Sequence, residues 1–160
     1  MSGAGSDDAP IANFGPDAWG GVLGLEILEA GPERVRARVE IGPRHHQPYG
    51  IVHGGVYTSI VEGVASHGAG LAVRARGAGP GLVVGVHNAT DFLRSHGQGE
   101  LVALGEPVHQ SRTQEIWQVV IRRSSDGKPV ARGQVRFQLL EQHPEERRAA
   151  APSPSRSGSR

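Results

Sequence analysis

The sequence of 160 residues contains no cysteine, and only 4% of its residues are aromatic. The lack of cysteine excludes disulfides, thiolate metal sites and a cysteine nucleophile. Its 17 basic and 16 acidic residues nearly balance, so the chain lacks the basic excess that is typical of nucleic-acid-binding domains. No run approaches the ~20 apolar residues of a membrane span, and the N-terminus does not resemble a secretory signal. We therefore expect a cytoplasmic protein that binds neither nucleic acid nor membrane.

Several catalytic signatures are also missing. There is no G-x-S-x-G motif for a serine nucleophile and no G-x-x-x-x-G-K-[ST] phosphate-binding loop. Eight histidines are present, and three of them, His45, His46 and His53, lie close together. They lack the i, i+4 spacing and the nearby carboxylate that would complete a helical zinc site. We expect no bound metal.

Composition divides the chain into three parts. Residues 1–18 are small, polar and poorly patterned, which predicts a flexible N-terminal segment. Residues 142–160 are charged and then rich in Ser, Pro and Arg, which predicts a disordered tail. Residues 19–141 remain as one domain, a length that can bury a useful core.

The apolar pattern of this domain predicts two strands, one long helix and four further strands. Residues 22–41 are interpreted as a hairpin: its second strand, 35–41, alternates strictly, whereas 22–29 alone is apolar enough for a strand or a short helix. The helix is predicted over Gly54–Ala75, and its glycines would let a sheet approach closely. The later strands are predicted at 82–94, 100–110, 114–124 and 129–140, the last two joined by an Asp-Gly turn.

This order indicates an α+β fold in which a six-stranded, mainly antiparallel sheet packs on one helix. Such a sheet has two open edges, and one helix covers only one face. A homo-oligomer would cover both the open edges and the uncovered face of the sheet.

The start of the long helix carries the strongest functional pattern. His53 precedes the helix, and Gly54 and Gly55 begin it. The accessible N–H groups and the dipole of this helix start can receive a developing oxyanion. Glu62 lies about two turns further on among apolar residues, and Ser66 shares its face one turn later. These residues predict a hydrolytic site. His53 could equally only cap the helix, and Ser66 could bond a backbone carbonyl.

These residues, together with Gln47 and the VHNATDFLR segment of 86–94, resemble the hotdog-fold acyl-CoA thioesterases. The resemblance is to the 4-hydroxybenzoyl-CoA / phenylacetyl-CoA thioesterase superfamily, in its Glu-containing branch. It covers residues ~20–140 and implies a sheet wrapped around one central helix. It also implies a tetramer of two dimers with active sites at the dimer interface. Coenzyme A would enter as part of the acyl-CoA substrate, with no retained cofactor.

The resemblance also implies residue roles. Glu62 would be the nucleophile or general base, and the Gly54 and Gly55 amides would polarise the thioester carbonyl, Gly54 being the better placed. Gln47 would hold the carbonyl or the attacking water, His53 would orient the thioester, and Ser66 would position water. The substrate and its CoA moiety would be contacted by Asn88, Thr90, Arg94, Ser111, Arg112 and Thr113. Arg94 and Arg112 suit phosphate groups, whereas Asn88 and Thr90 could equally be ordinary cross-strand residues.

Two other functions fit the same pattern. A non-catalytic acyl-CoA-binding regulatory protein would bind CoA esters without releasing thiol. A hotdog enoyl-thioester hydratase would be expected to pair Asp with His, and no such pair is visible at the helix entry.

Overall fold

The structure, a computed structural model, describes residues 15–77 and 82–140. Most of the predicted flexible segment 1–18, and all of the predicted tail 142–160, lie outside the described residues. The described elements are α1 (Trp19–Leu23), β1 (Glu26–Ala30), β2 (Val35–Ile41), a 3₁₀ turn at Pro43–His45, α2 (Gly54–Ala75), β3 (Leu82–Phe92), β4 (Gly99–Gln110), β5 (Gln114–Arg123) and β6 (Pro129–Leu140).

The six strands form one antiparallel sheet in the order β1-β2-β4-β5-β6-β3. The predicted α+β hotdog architecture is confirmed, because the single long helix α2 packs against β2 to β6. The predicted bounds of α2 agree with the structure, and the predicted strands differ from β3 to β6 by at most two residues at an end.

The predicted hairpin over 22–41 is wrong at its beginning. Trp19–Leu23 is a short helix, and the first strand starts only at Glu26. Gly24 causes the break: it adopts φ +70°, in the left-handed region that ends helices and that side chains other than glycine disfavour. Leu23 and Leu25 on either side of it are both buried, so the apolar run continues through the change of structure.

The core lies between α2 and the concave face of the sheet. In β2 the strict alternation holds, with Val35, Ala37, Val39 and Ile41 buried. Gly68 shows why small residues were needed: a Cβ there would lie 2.2 Å from the Trp117 ring. The predicted close approach is made at Gly68 by a side chain of the sheet and not by its backbone, and at Gly70 an added Cβ would meet nothing within 4 Å.

One acid is fully buried in this core. Glu115 on β5 is 0% exposed and is paired with Arg76, which follows α2. Its other oxygen accepts a hydrogen bond from the Trp117 indole N–H at 3.1 Å. Both oxygens therefore have partners, as a buried carboxylate requires. The network fixes the C-terminal end of α2 against the sheet.

The edge strand β3 is unusually apolar on its exposed surface. Leu82, Val84, Val86 and Phe92 are all exposed, and β3 pairs with β6 on one side only. Within 15–77 and 82–140 no helix is long and apolar enough to cross a membrane.

Candidate active site

The N-terminus of α2 is organised by His53. This residue is the N-cap, and its Nδ1 accepts a hydrogen bond from the Gly55 N–H at 2.9 Å. The interpretation of His53 as a cap is therefore confirmed. Because Nδ1 accepts, the neutral ring carries its proton on Nε2, so the exposed edge of the imidazole is a donor.

The two glycine amides are not equivalent. The Gly55 N–H is engaged by His53, whereas the Gly54 N–H donates to no group in the described part of the chain. A free N–H at a helix N-terminus is available to an incoming oxygen. Gly54 lies close to β3, since an added Cβ would be 2.5 Å from the ring of Phe92.

Glu62 is half-buried in the side of α2 that faces β3. Its Oε2 accepts a hydrogen bond from Asn88 Nδ2 at 3.0 Å, and the same amide group donates to the Thr58 carbonyl at 3.2 Å. Thr90 extends this hydrogen-bond network by donating its hydroxyl proton to Asn88 Oδ1 at 2.8 Å. The amide orientation of Asn88 is thus fixed from both ends, and it holds the carboxylate in one position. Asn88 and Thr90 are therefore linked to Glu62 by hydrogen bonds, and their contact with substrate stays a prediction.

The other oxygen of Glu62 lies against the backbone of β3. A Cβ on Gly85 would lie 2.4 Å from Glu62 Oε1. The absence of a side chain at Gly85 therefore makes room for the carboxylate, at the point where a β-bulge interrupts the β3–β6 register.

An apolar cavity of about 540 Å³ opens beside this carboxylate, between α1 and α2. The short helix contributes Ala18, Trp19, Gly20 and Leu23, and Leu25 follows it. The long helix contributes Thr58, Ser59, Glu62 and Gly63, and β3 contributes Asn88. A cavity of this size with a carboxylate at its wall is suited to an organic substrate group.

Gln47 and Ser66 are not brought into this cavity. The Gln47 side-chain carbonyl accepts from the Tyr49 N–H at 3.2 Å in the turn before α2. Ser66 is exposed on α2, one turn beyond Glu62. Their predicted roles stay predictions, since within one chain neither side chain lies at the cavity wall.

Glu62 and the amide of Gly54 are also separated within one chain. Eight residues of helix place them about 12 Å apart along its axis. A thioester carbon must lie about 3 Å from its nucleophile, and a carbonyl oxygen must lie about 3 Å from its donor. One chain therefore holds the two halves of the predicted site but does not join them.

The predicted CoA-contacting residues lie elsewhere on the surface. Arg94 donates to the Pro129 carbonyl at 2.8 Å, so its guanidinium lies at the beginning of β6. Ser111 closes the β4–β5 turn through mutual hydrogen bonds with the backbone of Gln114. Arg112 is exposed in this turn, and Thr113 is bound through its carbonyl to Leu139. None of these four lines the cavity.

Sequence reasoning missed Trp19, Leu23, Leu25 and Gly85. Trp19 precedes the predicted hairpin of residues 22–41, and Leu23 and Leu25 were assigned to the first strand of that hairpin, so no cavity was expected beside them. Gly85 gave a signal, a glycine inside a strand pattern, which indicates a close approach of another group. No group of three or more potential ligands in the described ranges could hold a metal ion.

Comparison with known proteins matches residues 49–130 to a model of the thioesterase superfamily. A protein of Mycobacterium tuberculosis named a putative esterase is 45% identical over 122 residues, covering 76% of this chain and 86% of its own length. Its structure aligns with a TM-score of 0.74 at 42% identity, over 79% of this chain and 98% of the other.

Two more distant relatives carry explicit activities in their names. A proofreading thioesterase, EntH, of Cronobacter turicensis is 29% identical over 99 residues, covering 62% of this chain and 69% of its own length. A 1,4-dihydroxy-2-naphthoyl-CoA hydrolase of Listeria monocytogenes is 27% identical over 99 residues, covering 62% of this chain and 77% of its own length. The family match spans the helix start, the carboxylate and β3 together. The chain belongs to the thioesterase superfamily, whose class of reaction is thioester hydrolysis.

Proposed function

We propose that this protein hydrolyses acyl-CoA thioesters to a free acid and coenzyme A. The observation that carries the proposal is the Glu62 carboxylate, held by Asn88 at 3.0 Å at the wall of an apolar cavity. The activity named for the Listeria relative supports a CoA thioester as the substrate class.

Glu62 acts as nucleophile or as general base. As base, it accepts a proton from water while the water oxygen bonds to the thioester carbon; as nucleophile, it forms an anhydride that water then opens. In both routes the C–S bond breaks and the CoA thiolate leaves. A thiol pKa of about 8.5 makes this departure possible with little help from an acid. The site therefore needs one carboxylate and a donor for the carbonyl oxygen.

The donor is the free N–H of Gly54, with the outward Nε2–H of His53 beside it to orient the thioester. A second chain supplies it, because the two halves are too far apart within one chain. Strand β3 contacts both halves: Gly85 lies against Glu62, and Phe92 lies against Gly54. If the free edge of β3 pairs antiparallel with β3 of a second copy about a two-fold axis between these positions, Gly85 comes opposite the partner subunit's Phe92. The carboxylate then meets an amide pocket across the boundary.

The exposed apolar side chains of β3 support this dimer, since an open, apolar edge strand is a template for pairing. Gln47 and Ser66 would complete the site from either side of the same boundary. The dimer is the minimal active unit, and two dimers assemble into a tetramer. Arg94, Ser111, Arg112 and Thr113 then bind the nucleotide end of coenzyme A, and the cytoplasm remains the predicted location.

The test is a panel of acyl-CoA and aryl-CoA thioesters assayed by release of free thiol. The protein has no cysteine, so it adds no background to a thiol reagent. Glu62→Gln keeps the shape of the side chain and removes its basicity, and we expect at least a ~10³-fold fall in kcat. Glu40→Gln, an exposed acid on β2, is the matched control and should retain full activity. Turnover of no member of the panel, or full activity in Glu62→Gln, would refute the proposal.

The dimer has its own test. Val86→Lys places a charge on the exposed edge of β3, and we expect monomers in a sizing experiment together with loss of hydrolysis. Fully active monomers would show that the site does not need a second chain.

A further inference from the structure

Trp19 occupies an unusual position for a large aromatic residue. Its side chain is 64% exposed, yet it forms part of the wall of the cavity beside Glu62. Its indole N–H donates to Ser59 Oγ at 2.9 Å, and Ser59 in turn donates to the Gly55 carbonyl at 2.8 Å. The one polar atom of the indole is therefore tied to the first turns of α2. The ring is fixed in place, and its apolar surface is left for a ligand.

The rest of the wall on this side is also apolar. Leu23 and Leu25 are anchored in the core, and Gly20 carries no side chain into the space. Trp19 thus covers an apolar chamber that begins at the Glu62 carboxylate. The residues proposed to bind coenzyme A do not line this chamber, which leaves it to the acyl group.

The polar atoms of the cavity offer little to an anion. Thr58 donates its hydroxyl proton to the Gly54 carbonyl at 3.2 Å, and Ser59 donates its own to Gly55. The Asn88 amide is already used on Glu62 and Thr58. Among the residues that line the described cavity, Glu62 carries the one charge and no Lys, Arg or His is present. A carboxylate at the far end of an acyl chain would find no cation and no free donor.

We propose that Trp19 is a specificity-determining residue that selects uncharged, apolar acyl groups of intermediate size. This inference rests on the proposed function, because it names the acyl group that the Glu62 site accepts. The indole contacts the part of the acyl chain beyond the first carbons. Short acyl groups do not reach it, and acyl groups with a terminal carboxylate are rejected because the described residues that line the chamber include no cation.

The kinetic test compares hexanoyl-CoA with acetyl-CoA, and hexanoyl-CoA with its ω-carboxylate counterpart adipoyl-CoA. The wild type should prefer hexanoyl-CoA in both pairs. Trp19→Ala should raise KM for hexanoyl-CoA by about tenfold with kcat little changed, whereas the constants for acetyl-CoA should change less than twofold. Trp19→Phe keeps an aromatic wall but loses the Ser59 hydrogen bond, and it should fall between the two.

A binding test does not depend on turnover. The chain has two tryptophans, and Trp117 is 0% exposed, so a water-soluble quencher such as acrylamide reaches mainly Trp19. The thioether S-hexyl-CoA cannot be hydrolysed. It should protect the fluorescence of the wild-type protein from quenching, whereas free CoA should not. Trp19→Phe, which retains only the buried Trp117, should show no such protection.

The outcomes separate the two proposals. Protection of Trp19 by S-hexyl-CoA without thiol release from any thioester would support the chamber and refute hydrolysis. Hydrolysis with an unchanged hexanoyl-to-acetyl ratio in both Trp19 variants, and no protection by the thioether, would overturn the role of Trp19. A wild type that prefers adipoyl-CoA over hexanoyl-CoA would overturn the selection against charge. If Trp19→Ala does not fold, Trp19→Phe and the quenching of the wild type still decide the matter.

Discussion

Gly85→Ala tests whether the position of the Glu62 carboxylate controls activity. The new Cβ would lie 2.4 Å from Glu62 Oε1, whereas ordinary contact begins at 3.4 Å. Backbone conformation does not forbid alanine, since Gly85 is not among the glycines with positive φ. The flexible carboxylate gives way instead, by about 1 Å, and a displacement of that size can cost a catalytic group about 10²-fold.

This shift acts on the hydrogen bond that fixes the carboxylate. Glu62 accepts from Asn88 at 3.0 Å, and moving the acid by such a distance breaks or misaligns that bond. We expect kcat/KM to fall about 10²-fold, which corresponds to ~2.7 kcal/mol of lost transition-state stabilisation. The free energy of unfolding should stay the same or rise by about 0.5–1 kcal/mol, because alanine restricts the unfolded chain more than glycine does.

The assay is thiol release from the best acyl-CoA substrate, with thermal unfolding followed by circular dichroism on the same samples. Gly70→Ala is the matched control, because its new Cβ would meet nothing within 4 Å. It should keep full activity and gain about 1 kcal/mol of helix stability. If Gly85→Ala retains kcat/KM within threefold of the wild type, the contact between β3 and the carboxylate does not position the acid.

Two further predictions concern the core. Gly68→Ala places a Cβ 2.2 Å from the ring of Trp117, which is buried and cannot move freely, so chemical denaturation should show a loss of about 1–3 kcal/mol; an unchanged midpoint would contradict this packing. Burial raises the pKa of Tyr57 to about 12, so the folded state keeps a proton that the unfolded state loses near pH 10. The contribution of Tyr57 to the free energy of unfolding is therefore fully present below pH 10, and it declines from pH 10 to pH 12. Between pH 8 and pH 11 the free energy of unfolding of Tyr57→Phe, measured by urea titration, should fall by about 1 kcal/mol less than that of the wild type. Equal decreases would contradict the assignment. Because the Tyr57 hydroxyl has no partner among the described groups, the variant should be no less stable at pH 7.

The elements that could be predicted from the sequence have a strong periodic signal. The bounds of α2 followed from the glycine pair at its start and the helical spacing after it, and β2 followed from strict alternation. The short helix α1 could not be predicted, because five residues carry too little periodicity to identify a helix. Its first glycines also have low helix propensity. The helix forms because Leu23 and Leu25 are buried on either side of Gly24, and that is a tertiary effect.

In the candidate site, too, some residues could be predicted from the sequence and others could not. The helix start and Glu62 are separated by a fixed number of residues on one element, so sequence spacing places them. Asn88 and Gly85 meet Glu62 only through the pairing of β3 at the edge of the sheet, and no spacing rule encodes that contact. Trp19 meets the cavity through a hydrogen bond to Ser59, 40 residues away. Long-range contacts of this kind are what sequence reasoning lacks.

The described residues that line the cavity beside Glu62 include no cation, and this affects the end of the proposed reaction. Hydrolysis converts a neutral thioester into a carboxylate at the same place, next to the Glu62 carboxylate, and no positive side chain among the described lining residues would retain it. The acid should therefore leave quickly, and it should inhibit poorly when added back at concentrations near KM. Repulsion between the two carboxylates would in this way speed the release of the product.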